Sequence, residues 1–297
     1  MITPVPLGTW PTPLEAAPRL AARLGLAEFW FKRDDLNGLG GGGNKVRKLR
    51  YTCAQAIAAG ANTVITSGAP QSNHARLTAA ASARLGLSCV LVLAGPPPES
   101  RRGNLLLDGL AGAEIVWAGE RPLVDVVAAE AARRSAYVIP FGGTSTASIQ
   151  GYVDCARELR DQLPTIDGVE VVVALGSGGT MAGLVRELGA QRVVGVDVGA
   201  VPDPRATVAG LLVGEVEPDA LRIDGTQVGA GYRTLTEAAR AALELTARTE
   251  GVFLDPTYTG RAMAALLAGS FPRGDRVVFL HTGGLPGLFG HPELYSW

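Results

Sequence analysis

Lys45 is the residue whose setting most invites chemistry. It follows a run with almost no side chains, Gly38–Leu39–Gly40–Gly41–Gly42–Gly43–Asn44, and it opens a helical pattern. An amine placed there feels the positive end of the helix dipole and partial desolvation, and both favour its neutral, nucleophilic form. A solvated lysine on a first helical turn is the other reading the pattern allows. Lys48, one turn on, either faces the same anion or is surface charge like its neighbour Arg47. The second feature is VVVALGSGGTMAGL, which reads as a buried strand, a glycine turn and a helix start. Ser177, Gly178, Gly179 and Thr180 there combine close backbone approach, free helix N–H groups and two hydroxyls, the makings of a phosphate cradle. An ordinary strand-to-helix turn fits the same residues. No G-K-[ST] follows, so it is not a P-loop, and the spacing is not the G-x-G-x-x-G of a nicotinamide turn.

The segment SGAPQSNHAR again follows a strand and opens a helix. Ser72 and Asn73 are natural helix caps, and they are also a hydroxyl and an amide available to a ligand. His74 is one of three histidines and reads mainly as structural. His281 and His291 lack metal-ligand spacing, so no metal site is expected. No G-x-S-x-G elbow is present, which weakens a hydrolase reading.

These residues need elements to hold them. Short apolar runs alternate with Ala/Leu/Arg-rich helical stretches. Strands are expected at Thr63–Thr66, Cys89–Leu93, Glu114–Trp117, Tyr137–Pro140, Glu170–Leu175, Arg192–Val196 and Arg276–His281. Helices are expected at Lys45–Ala59, Ser72–Leu85, Leu123–Arg134, Ser148–Gln162, Thr180–Leu188, Thr234–Arg248 and Thr259–Ala268. Continuous apolar strands imply burial on both faces, and the alternation predicts an α/β fold with doubly wound, mostly parallel sheets. Pro-rich, polar segments at Gly95–Gly103 and Gly199–Arg205 are expected as surface loops.

Composition narrows the classes further. The 39 glycines in 297 residues carry no G-X-Y period, and 47% hydrophobic content is ample for a core. Collagen and disorder are excluded. A formal net charge of -1 with no basic stripe argues against a nucleic-acid partner. No apolar run reaches membrane-spanning length, so no membrane partner is expected. Cys53, Cys89 and Cys155 are scattered and form no C-x-x-C, as expected of reduced thiols, and MITPVPLGTW lacks signal-peptide character. A cytoplasmic small-molecule enzyme is the expectation.

FKRDDLN, GGNKVRKL, SGAPQSNHAR, GSGGT, LDPTYTGRAM and HTGG, in that order, resemble the pyridoxal-phosphate enzymes of the tryptophan-synthase-β fold, fold type II. Within it they are similar to the branch holding D-cysteine desulfhydrase, 1-aminocyclopropane-1-carboxylate (ACC) deaminase and L-cysteate sulfo-lyase. The resemblance runs from about Thr12 to about Leu288. It implies pyridoxal 5'-phosphate as cofactor, with Lys45 forming the Schiff base and Asn73 touching the ring hydroxyl. Ser177, Gly178, Gly179 and Thr180 would bind the phosphate with Lys48 nearby, and Thr282 would face the pyridine nitrogen. Ser72, Tyr232 and Tyr258 would supply acid/base hydroxyls on the substrate side. Ser72, Asn73, His74, Thr144, Ser145 and Tyr258 would contact a small amino-acid substrate. The fold implies a smaller α/β domain at 48–150 inserted into a large cofactor-binding domain at 1–47 and 151–297, with the cofactor in the cleft, and usually a homodimer.

The implied reaction is β-elimination from a small amino acid such as D-cysteine, giving pyruvate, ammonia and sulfide, with Lys45 taking the Cα proton. ACC deaminases carry a glutamate directly after the tyrosine of D-P-x-Y. Here Thr259 follows Tyr258 and Thr282 stands in HTGG, both desulfhydrase-like. ACC deamination, or elimination from another β-substituted amino acid such as L-cysteate, is the alternative. The run Thr144–Gln150 and the segment GAPQ depart from the branch, and both bear on the substrate. Two further readings are a regulatory homologue that binds the cofactor without chemistry and a nucleotide-dependent oxidoreductase.

Overall fold

The computed structural model describes residues 2–232, 234–271 and 274–294. Its chain opens with β1 (Leu14–Ala16), α1 (Pro18–Leu24) and β2 (Glu28–Arg33), and a glycine loop then leads into α2 (Lys45–Ala58). Four β-α steps follow: β3 (Thr63–Gly68), α3 (Asn73–Leu85), β4 (Ser88–Leu93), α4 (Gly103–Leu110), β5 (Glu114–Trp117), α5 (Leu123–Arg134), β6 (Tyr137–Val138) and α6 (Gln150–Gln162). Next come β7 (Val169–Leu175), α7 (Gly179–Leu188), β8 (Val193–Asp197), α8 (Pro204–Leu212) and β9 (Arg222–Asp224). The chain then runs through α9 (Glu237–Glu250), α10 (Thr259–Ala268), β10 (Arg276–His281) and α11 (Leu285–Gly290).

The strands form two sheets, in the orders β1-β2-β10-β7-β8-β9 and β5-β4-β3-β6. All pairings are parallel except β1 with β2. In β7, β8 and β10 almost every residue is buried, as expected for parallel strands covered by helices on both faces. One core between the larger sheet and its helices holds Phe29, Phe31 and Phe279, whose rings meet edge-on or stacked. The smaller sheet has its own core of Val64, Leu77, Leu91 and Leu93, which also takes in Val46, Leu49 and Cys53 of α2 and Leu7.

All the expected strands and helices are present, with ends moved by up to three residues. The ends move where a cap decides them. Helix α9 starts at Glu237 rather than Thr234 because Thr236 accepts from Ala239 N at 3.1 Å. Helix α8 begins inside the expected loop Gly199–Arg205, where Asp203 accepts from Ala206 N at 2.9 Å and Pro204 takes the first helical position. Elements not expected from the sequence are β1, β2, β9, α1, α4, α8 and α11, most of them short. Strand β2 carries FKR, which stands out as a motif before it stands out as a strand.

Beneath the glycine loop lies a buried polar network. Arg47 and Asp34 have no exposed surface, and Arg47 Nε and Nη2 both donate to Asp34, at 2.8–3.0 Å. Arg47 also donates to Glu158 through Nη1 and Nη2, each at 2.8 Å, and Lys32 Nζ reaches Glu158 at 2.6 Å. Tyr152 Oη donates to Asp34 at 2.6 Å and Thr12 Oγ1 to Asp34 at 2.9 Å. Arg47 and Lys48 are therefore interior residues, not surface charge. The cationic partners outweigh burial and hold the carboxyls of Asp34 and Glu158 below their ordinary values. The three cysteines are buried and free, and burial pushes each thiol up to about 12.

Candidate active site

The carboxyl ends of β7 and β10 meet the starts of α2 and α3 at one cleft, at the edge where open parallel sheets bind ligands. Lys45 is the first residue of α2 and is 8% exposed. Its Nζ donates to the carbonyl of Gly142 at 3.3 Å. Lys48 Nζ, one turn further, donates to Thr144 Oγ1 at 2.9 Å and to Ser177 Oγ at 3.3 Å. Burial lowers the Lys45 amine to about 8, and burial beside Lys45 takes Lys48 well below the usual lysine value. The two amines also meet each other, and the oxygens they donate to, on Gly142, Thr144 and Ser177, carry no charge. Two buried lysines without a carboxylate make a site that demands an anion.

The cradle for that anion is the turn from β7 into α7. Its first N–H groups have no partner within the helix, and Ser177 and Thr180 add hydroxyls beside them. Asn44 Nδ2 donates to Thr180 Oγ1 at 3.1 Å, tying the lysine helix to the cradle. Position 179 is tight, since a Cβ there would lie 2.8 Å from Thr144 Cγ2 and 3.0 Å from Lys48 Nζ and would push both side chains aside. The glycine loop before Lys45 is just as tight. Gly42 has φ +71°, a Cβ there would lie 1.7 Å from the Asp35 carbonyl oxygen, and Arg76 donates to the carbonyls of Gly40 and Gly42 from behind.

The cradle cavity is lined by Asn44, Lys45, Lys48, Asn73, Ser177, Thr180, Tyr258 and Thr282 among others. It joins a cavity of about 190 Å³ walled by Ser72, His74, Phe141, Ala200, Tyr232 and Tyr258. Ser72 Oγ accepts from Ala75 N at 3.1 Å, so it caps α3 and faces the cavity at once. Asn73 Oδ1 accepts from Asn104 Nδ2 at 3.0 Å, and Asn104 is itself held by Gln71 and Arg76. His74 is buried against Thr66 Oγ1 at 2.8 Å, and burial near Lys45 and Lys48 keeps it neutral. Tyr232 and Tyr258 share a short hydroxyl–hydroxyl bond with their rings edge-on, and burial beside Tyr232 raises Tyr258 well above the ordinary phenol value.

Two expectations change, those for Thr144 and Ser145. Thr144 sits at the anion end, bonded to Ser177 Oγ at 2.7 Å and to Lys48, rather than beside a substrate carboxylate. Ser145 is not brought to the cleft. It exchanges hydrogen bonds with Ser148 at 2.8 and 3.1 Å and so shapes the turn into α6. Thr259 is fully buried, and its hydroxyl and N–H both donate to Asp255, at 2.7 and 2.8 Å, leaving Thr282 as the hydroxyl that faces the cleft from the end of β10. Sequence reasoning missed Asn44, Gly142, Asn104 and Ala200. The first two stand inside motifs already marked by their glycines, and the other two carry no local signal.

Parallel sheets meeting around a buried lysine and a glycine-lined anion cradle define an α/β enzyme that holds a phosphorylated cofactor. The family model for pyridoxal-phosphate dependent enzymes matches residues 5–283, and the chain belongs to that family. A D-cysteine desulfhydrase of Klebsiella pneumoniae is 40% identical over 312 residues, covering 96% of this chain and 95% of the relative. One from Salmonella schwarzengrund is 39% identical over 314 residues with the same coverage. Among solved structures, an ACC deaminase homologue matches with TM-score 0.88 and 34% identity over 99% of this chain and 96% of the other. A maize serine racemase, 18% identical with TM-score 0.70 over 92% of this chain and 88% of the other, shares the fold. The fold is type II, and the enzyme uses pyridoxal phosphate.

The residues fit that cofactor, since an anionic phosphate answers the unpaired lysines and an aldehyde answers a weakly basic amine. An amine with its value near 8 is about one-tenth neutral at pH 7, against a few parts in ten thousand for an ordinary lysine. The rate of covalent cofactor uptake by the apoprotein should therefore rise about tenfold per pH unit below pH 8 and level off above it. Stopped-flow absorbance across pH 6–10, about the window over which a lysine amine of this kind titrates, checks this. Lys48→Met should weaken cofactor retention by about 10–150-fold, the loss of one charged hydrogen bond of roughly 1.5–3 kcal/mol. Titration of apoprotein with cofactor, and competition by inorganic phosphate, measure it.

Proposed function

We propose that this protein is a carbon–sulfur lyase that carries out β-elimination on a small amino acid such as D-cysteine, releasing pyruvate, ammonia and sulfide. The observation that carries the reading is the Lys45 amine, weakly basic at about 8, standing between the anion cradle and a small cavity bearing three hydroxyls. Near-full-length similarity to D-cysteine desulfhydrases supports it.

In this reading Ser177, Gly178, Gly179, Thr180 and Lys48 hold the cofactor phosphate, Asn73 the ring hydroxyl and Thr282 the ring nitrogen. When bound, pyridoxal phosphate accepts the electron pair left at Cα. Lys45 Nζ removes the Cα proton. Tyr258, hydrogen-bonded to Tyr232 and held well above the ordinary phenol value by burial beside it, delivers a proton to the sulfur as the Cβ–S bond breaks. Ser72 orients the substrate, and Phe141 and Ala200 limit its size. One water is consumed, so cysteine and water give pyruvate, ammonia and hydrogen sulfide. Thr282 supports this leaving-group chemistry over ring opening, because a hydroxyl leaves the ring nitrogen less charged than a carboxylate does.

We also infer a smaller body at 48–150 inserted in a larger one, and a homodimer in the cytoplasm. Exposed Leu106, Leu110, Phe253 and Phe289 support self-association. No helix among the described residues is long and apolar enough to cross a membrane.

The test is a panel of D- and L-cysteine, β-chloro-D-alanine, D-serine, L-cysteate and ACC, with pyruvate, 2-oxobutyrate and sulfide measured. Equal pyruvate and sulfide from D-cysteine is the expected result. Product from ACC alone would overturn the assignment, and a yellow protein that turns over nothing would point to a binding homologue.

A further inference from the structure

Arg261 lies in the first turn of α10 and has no exposed surface, yet it makes no ion pair among the described residues. Its guanidinium is instead spent on main-chain carbonyls. Nη1 donates to Val198 O at 3.0 Å and Val228 O at 2.9 Å, and Nη2 donates to Gly231 O and Thr234 O, each at 2.7 Å. Gln227 O and Tyr232 O lie at 3.4 Å. These acceptors, Val198 apart, belong to the segment between β9 and α9, whose described residues lie in neither helix nor strand and include Gly225, Gly229 and Gly231. The segment's own backbone bonds are local and long, Gly231 N to Val228 O and Thr234 N to Gly231 O at 3.3 Å.

That segment carries Tyr232. Its partner Tyr258 sits three residues before Arg261, at the cap of the same helix, where Asp255 accepts from the N–H groups of Thr257, Tyr258 and Thr259 at 3.0, 2.9 and 2.8 Å. One helical turn thus locates both phenols. It holds Tyr258 through the chain and Tyr232 through the guanidinium.

We propose that Arg261 is the positioning residue for the tyrosine pair, gathering the carbonyls of Val198, Val228, Gly231 and Thr234 so that Tyr232 Oη meets Tyr258 Oη over the substrate cavity. The role in turnover rests on the reading that this pair serves the reaction. The anchoring of the segment does not. A planar fork with five donors suits several carbonyls at once, whereas lysine brings three donors at a single point.

The experiment compares holoenzyme wild type, R261K, R261M, Y232F and the double variant R261M/Y232F. In R261M the visible band of the bound cofactor is retained, kcat on D-cysteine falls at least tenfold, and amides of residues 226–234 exchange hydrogen faster while those of α2 and α7 do not change. R261K restores part of the loss. In the Y232F background, R261M costs nothing further in kcat, because its effect runs through Tyr232. Unchanged exchange at 226–234 in R261M overturns the proposal, as do kcat losses that multiply in the double variant. Should R261M not fold, R261K decides on the same exchange measurement. Should wild type turn over no amino acid on the panel, the lyase reading fails, and the exchange result still tests the anchoring.

Discussion

Lys45→Ala yields a folded, colourless protein whose turnover of D-cysteine falls by at least about three orders of magnitude. In the proposed mechanism the single change removes both the amine that would hold the cofactor covalently and the base that would take the Cα proton, and a positioned base alone contributes about 10²–10⁴-fold. The fold survives because Lys45 supports little of it. Among the described residues it bonds only the Gly142 carbonyl, at 3.3 Å, and its neighbour Lys48, and burial already disfavours its charge. Cradle residues Ser177, Thr180 and Lys48 are untouched, so the variant still binds inorganic phosphate. Visible absorbance, pyruvate release and a thermal melt are the measurements. A variant that stays yellow and turns over substrate would remove Lys45 from the reaction.

Arg47→Met is the change expected to cost most stability, roughly 3–5 kcal/mol, or on the order of 10 °C in melting midpoint. Methionine replaces the volume but strands Asp34, which is fully buried and otherwise bonded to Tyr152 and Thr12 hydroxyls. The pH dependence has a definite sign. Asp34 and Glu158 titrate below their ordinary values in the folded protein, so their contribution is present above about pH 4–5, the unfolded carboxyl range, and is lost as pH falls through the folded values. In Arg47→Met the stranded, buried carboxyl titrates higher, so the deficit against wild type is largest where that carboxyl is ionised and shrinks as pH falls and it takes up a proton. Melts from pH 3 to 8, chosen to bracket the carboxyl range, report both effects. A midpoint within about 2 °C of wild type, less than 1 kcal/mol for a chain of this length, would mean the network is not a support for α2.

Much of the site is legible in the sequence because its signals are local. Lys45 follows its glycines with only Asn44 between, and the cradle is four consecutive residues where a strand passes into a helix. What stays illegible depends on partners far along the chain. Arg47 reads as surface charge until Asp34 and Glu158, 13 and 111 positions away, fold around it. Ser145 looks available for substrate until Ser148 closes the turn on it. The fold follows the same division. Apolar strands such as Arg276–His281 are read to the residue, while short β1 and β9, and α8 set by its Asp203 cap, are not.

The buried thiols have a bearing on life beside a sulfur-releasing site. With values near 12, Cys53, Cys89 and Cys155 are thiolate to only on the order of one part in 10⁵ at pH 7, and all three lie inside the cores. Sulfide leaving the cleft oxidises readily to polysulfides, which convert accessible thiolates to persulfides. If the cleft releases sulfide as proposed, thiols that are buried and almost wholly un-ionised offer such species little thiolate to attack.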